Sequence, residues 1–114
     1  MLTQKHQDCI AACQACAVAC DNCLEMDLRE PEIDMLRRCI QLDRDCSKMC
    51  YTSITFMASD SPFAHQVCEL CAQVCDACAE ECEKHAHKHD HCRECAEACR
   101  RCAESCQKMG GVAE

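Results

Sequence analysis

The chain has 114 residues, enough for one small domain around a single narrow core. Its formal net charge is −8, with two Phe, one Tyr and no Trp, so it carries no basic stripe with stacking aromatics of the kind that binds nucleic acid. Leu, Ile, Val and Phe together number only 16 residues, a composition that would ordinarily read as disorder; eighteen cysteines, each a small hydrophobe while it is a thiol, take the place of the missing aliphatics.

Thr3 is placed to cap a first helix that runs to about Asp27 and carries Cys9, Cys13, Cys16, Cys20 and Cys23. Leu28-Arg29-Glu30-Pro31 breaks it, and Pro31 is tolerated in the first turn of a second helix, over about 31–58, with Cys39, Cys46 and Cys50. Ser59-Asp60-Ser61-Pro62 is the clearest punctuation, with Ser61 as N-cap and Pro62 at the first helical position. A third helix over about 62–88 holds Cys68, Cys71, Cys75, Cys78 and Cys82. Asp90 is placed to cap a fourth, to about Met109, with Cys92, Cys95, Cys99, Cys102 and Cys106, and Gly110-Gly111 suits its end. Connections this short force neighbours to run antiparallel. The predicted fold is all-α, an up-down-up-down four-helix bundle with a cysteine-lined core, in one domain over residues 1–114.

Within each helix the cysteines recur at intervals of three, four or seven residues. Alternating threes and fours average 3.5, the period of a seam that packs against partner helices, so the thiols are expected to point inward. The first and third helices also resemble each other, Cys13-Gln14-Ala15-Cys16 matching Cys68-Glu69-Leu70-Cys71 and so on to Cys23 and Cys78, as duplication of a helical hairpin would leave them. The aliphatics that flank the seam, such as Ile10, Val18, Leu70 and Val74, are available for self-association.

The N-terminus has no basic start followed by an apolar stretch, and the expectation is a cytoplasmic protein with no membrane-spanning run. Reducing cytosol disfavours structural disulfides and favours metal binding as the meaning of many cysteines. Eighteen bare thiolates in a core would be prohibitive, whereas one monovalent copper per thiolate leaves a neutral core. Cu(I) is soft, prefers thiolate and accepts low coordination numbers that bridging sulfurs satisfy. Zinc asks for closed tetrahedral sites, and an array of them would bury several negative charges. Cysteines at i and i+3 or i+4 lie within reach of one bridging ion. Metal binding adds to folding free energy, so the metal-free chain should be helical but looser than the loaded one.

Other uses of the thiols fit less well. Iron–sulfur ferredoxins use compact loop runs that are absent, and a flexible metallothionein-like wrapper would show Cys-Cys or Cys-x-Cys pairs, of which there are none. Disulfides between antiparallel helices remain open, as does a thiol/disulfide redox protein. Thioredoxin-like chemistry needs a βαβ context. No Ser/His/Asp set, phosphate loop or His-Glu-x-x-His motif appears, so no catalysis is expected.

His85 and His89 continue the third seam beyond Cys82, and His87 and His91 complete the run His85-Ala86-His87-Lys88-His89-Asp90-His91. In the antiparallel bundle this cluster shares an end with Met26 and Met35. Imidazole and thioether both bind Cu(I), which makes this end the candidate entrance. Ile54, Phe56, Met57 and Phe63 read as an apolar plug at the other end, where His6, His65 and Met109 keep a second entrance open. On the second helix the seam runs Cys39, Asp43, Cys46, Cys50, Ser53, Met57. Asp43 then stands in the thiol column as a candidate ligand, unless Leu42 takes the seam and Asp43 faces solvent.

The Cys-x3-Cys-x2-Cys-x3-Cys-x2-Cys first helix and its equivalents on the third and fourth make the whole chain resemble the bacterial copper storage proteins, specifically the cytosolic members that lack an export signal. The resemblance implies a homotetramer of four-helix bundles, each storing many Cu(I) ions on buried thiolates, with no disulfides in the metal-free form and with histidines near one open end that help metal enter. It carries over the eighteen cysteines as ligands and Asp43, His85, His87, His89 and His91 as accessory candidates. Copper chaperones are the expected delivery partners, and neither nucleic acid nor membrane is.

Overall fold

Helical hydrogen bonding begins where a side chain first satisfies it. Thr3 accepts from the His6 backbone N–H at 3.1 Å and opens α1, Gln4–Leu28. A computed structural model describes residues 2–111, and after α1 it shows a single 3-10 turn (Ile33–Leu36), then α2 (Arg37–Ala58), α3 (Ala64–Glu83) and α4 (Asp90–Gly111), with no strand among the described residues. Each helix packs on two others, α1 on α2 and α4, α3 on α2 and α4, in an up-down-up-down rod of 47 × 19 × 18 Å.

The ends of the elements differ from expectation where the chain has to reverse. The second helix, expected from Pro31, starts as a helix only at Arg37; the 3-10 turn before it carries the chain across the bundle end and tucks Leu36 under it, 1% exposed. The third helix, expected to about Lys88, ends at Glu83, and residues 84–88 form turns. An antiparallel reversal takes several residues, and a helix to Lys88 would have left only His89 to make it. The third helix, expected to start at Pro62 behind a Ser61 cap, begins instead at Ala64 with Phe63 as its N-cap and no side-chain cap; Ser61 and Pro62 belong to the turn before it, where the Ser61 hydroxyl accepts from the Phe63 N–H at 3.1 Å. Asp90 is the first residue of α4, its carboxylate 3.3 Å from Arg93, and α4 runs to Gly111, beyond Met109.

α2 ends in a two-bond motif. The Ser61 N–H reaches back to the Phe56 carbonyl at 3.0 Å and the Asp60 N–H to that of Met57 at 3.1 Å, with Asp60 at φ 52° in the left-handed region that this ending requires.

Against expectation, α1 is long and apolar enough to meet the composition of a membrane span, with mean hydropathy 1.2. That hydropathy comes largely from cysteine and alanine, and all five of its cysteines are fully buried against the other helices.

Candidate metal centre

All eighteen cysteines are fully buried, and all are free thiols. The alternating spacing causes this, since it keeps each thiol on the one face that meets the other helices. Facing rows interlock. Between α1 and α4, Cys9 and Cys13 each lie 3.7 Å from Cys106, Cys16 and Cys20 each 3.7 Å from Cys99, and Cys23 3.9 Å from Cys92. Between α2 and α3, Cys46 lies 3.3 Å from Cys75 and Cys39 3.4 Å from Cys82. Along single helices, Cys16 meets Cys20, Cys71 meets Cys75, Cys95 meets Cys99 and Cys102 meets Cys106, at 3.9–4.0 Å and always at i+4.

The result is a continuous column rather than separate sites. Buried quartets of thiols lie within 4.8 Å of one another and share members: Cys16 and Cys46 belong both to the set with Cys50 and Cys75 and to the set with Cys20 and Cys99, and Cys71 and Cys102 likewise belong to two. Closed tetrahedral ions, each with four thiolates of its own, could occupy only some of these overlapping quartets at once. Ions of low coordination number bridged by shared sulfurs can occupy them all.

Burial opposes the thiolate throughout. Cys20 and Cys99 are raised, foremost by Cys16 and also by burial. Cys39 is pushed up to about 12: hydrogen bonds with Cys23 and Cys92 draw it down, and that with Cys82, burial and the Asp43 charge outweigh them. Cys92 also stands at about 12, drawn down by Cys23 and raised by Cys39, burial and the Asp27 charge. A soft cation that replaces the proton removes the cost of the buried charge.

Asp43 takes the seam position and is fully buried, while Leu42 sits half-buried at the edge of the core. Its Oδ1 accepts from Cys78 at 3.2 Å, Cys95 at 3.3 Å and Cys82 at 3.6 Å, and its Oδ2 from Cys39 at 3.7 Å. Burial, then the neighbouring Cys95, pushes its carboxyl up to about 9.

The histidines divide. His91 reaches the column's end, its Nε2 2.8 Å from Oδ1 of Asp27. His85 lies 3.1 Å from Oε2 of the buried Glu81, whose other oxygen is 3.3 Å from Lys84 and 3.5 Å from Arg38. His89 is nearly buried, between Glu30 at 3.6 Å and Glu32 at 3.4 Å, with its ring 5.2 Å from that of His91. His87 is exposed on the turn.

Asp27 escaped the sequence reading as a site residue. It is fully buried, and its carboxylate also accepts from Cys92 at 3.6 Å and Cys23 at 3.9 Å. The signal was present: Asp27 is the next step of the same spacing after Cys23, as Asp43 is after Cys39.

At the opposite end Met57 and Met109 are buried, with Ile54 and Phe56 packed on them and on the thiols. Phe63, expected in this plug, is 61% exposed, because it lies in the turn before α3, off the inward face. His65 is tied to the Met109 carbonyl at 2.6 Å.

A family model described as copper storage protein matches residues 2–111. An uncharacterized cysteine-rich protein of Bacillus subtilis (strain 168), YhjQ, is 44% identical over 86 residues, 75% of this chain and 80% of that protein. Among solved structures, a Cu(I)-bound copper storage protein, BsCsp3, is 45% identical and superposes with a TM-score of 0.88 over 94% of this chain and 99% of its own. A cytosolic copper storage protein from Streptomyces lividans, solved with five coppers, is 38% identical with a TM-score of 0.92, covering 95% of this chain and 93% of its own.

Proposed function

Because the chain belongs to the copper storage protein family, we propose that its eighteen cysteines are the ligands of a high-capacity Cu(I) store. The protein stores copper as Cu(I), many ions to a chain. The observation that carries the ligand assignment is the overlap of the buried thiol quartets, which suits bridging monovalent ions. If each thiolate bridges two ions and each ion takes two thiolates, capacity is roughly 18 Cu(I) per chain. The role is sequestration and detoxification in the cytosol rather than turnover, by a homotetramer that copper chaperones supply.

Copper is admitted at the histidine end, where His91 lies against Asp27 beside Cys23 and Cys92, with the His89 ring 5.2 Å from its own and His85 on the preceding turn, and Asp43 takes part in the deeper sites. His87, exposed on the turn, is the outermost of the four imidazoles. The opposite end is closed by Met57 and Met109.

The test is an anaerobic titration of reduced protein with Cu(I) in competition with a strong Cu(I) chelator. Saturation near one ion per cysteine is expected. Saturation near four or five equivalents would indicate tetrahedral sites, and loss of the metal to the chelator would end the storage reading for these ligands.

A further inference from the structure

At the histidine end the column closes on a donor set unlike the rest of it. Cys23, Asp27 and Cys92 are fully buried, and His91, 13% exposed, lies over them. The donors converge: Cys23 and Cys92 sulfurs are 3.9 Å apart, Asp27 Oδ1 is 3.6 Å from Cys92 and 2.8 Å from His91, and Oδ2 is 3.9 Å from Cys23. A carboxylate is a hard donor with little to offer Cu(I), whereas two thiolates, an imidazole and a carboxylate are the mixed set of a borderline divalent ion.

From these donors we infer that Cys23, Asp27, His91 and Cys92 form, in the copper-free chain, a tetrahedral site for one divalent ion of the zinc class at the histidine end of the column, an ion that Cu(I) displaces when it reaches those two thiols. Tetrahedral Zn2+ at its usual bond lengths sets edges of about 3.8 Å between sulfurs, about 3.6 Å between sulfur and oxygen and about 3.4 Å between nitrogen and oxygen. The sulfur edge and one of the sulfur–oxygen edges are already there. His91 must swing outward, exchanging its hydrogen bond to Asp27 for the metal, and the Asp27 carboxylate must turn one oxygen toward both sulfurs. Charge selects the same ion: two thiolates and a carboxylate leave a net charge of −1 around a divalent ion and −2 around Cu(I). Asp43, deeper in the column, does not make a second such site, because four thiols and no imidazole surround it.

The site does not depend on the copper assignment. The experiment is a Zn2+ titration of the full, reduced, metal-free chain against a chromophoric chelator, repeated with His91→Gln and Asp27→Asn, and with Co2+ as a spectroscopic stand-in. One tightest equivalent per chain is expected, with a Co2+ charge-transfer band of two-thiolate intensity. Either variant should weaken that equivalent by more than about tenfold, and His91→Gln, at the rim, should do so without changing helicity. A tightest equivalent that neither substitution moves, or a four-thiolate Co2+ spectrum, overturns the site by placing the divalent ion among the quartets. A Cu(I) capacity far below the cysteine count, with the Zn2+ result intact, would count against the copper ligands and leave this site standing.

Discussion

Asp43 is a carboxyl group enclosed by thiols, and its protonation links folding to pH. The unfolded chain releases this proton near the ordinary carboxyl value of 3.8, and the folded, metal-free chain holds it to about 9, so folding favours the protonated form. Asp43 therefore contributes stability at low pH that is lost as pH rises across that window. Urea unfolding of reduced, metal-free protein should show the wild type losing stability relative to Asp43→Asn between about pH 4 and pH 9; a constant difference would mean that Asp43 titrates normally. Its place in the column was legible because it falls on the seam. Asp27 falls on the same register and went unread, because a polar residue at the end of a helical pattern is ordinarily a surface residue, and only the packing of α4, which brings His91 and Cys92 over it, makes it internal.

The ends of the helices carry the next effects. Asp60 occupies a left-handed position where a side chain other than glycine is strained. Asp60→Gly should stabilise the metal-free protein by about 0.5–1 kcal/mol, the relief of strain partly offset by the added freedom of the unfolded chain; a loss of stability would mean that the Asp60 side chain holds the turn. The turn from α3 to α4 carries His85, His87 and His89, and His91 follows on α4; this end is the proposed entrance. Replacing His85, His87, His89 and His91 together should slow Cu(I) loading in stopped-flow measurements more than it lowers capacity, and unchanged rates would remove the entrance. The helices themselves were legible from cysteine spacing, but the end of α3 was not. Lys84–Lys88 has nothing against helix in its composition, and the helix stops there because the chain must turn back to lay Cys92 beside Cys23.

For the whole molecule, each ion bound only by the folded chain adds to its stability. One site filled at a hundred times its Kd contributes about 2.7 kcal/mol, and a domain of this size gains about 4 °C for each kcal/mol. Two such sites should raise the thermal midpoint by about 20 °C or more, and equal midpoints for metal-free and copper-loaded protein in calorimetry would contradict ligation inside the core. The sequence alone determined four helices, their antiparallel order and the inward face of every cysteine, because a repeat of threes and fours is a local property of one helix. Tertiary structure decided which thiols meet, that Phe63 stands outside the apolar end and that Asp27 meets His91. Those depend on the axial stagger of the helices and on the path of the turns, which distribute side chains among partners far apart in the chain and leave no period in the sequence to read.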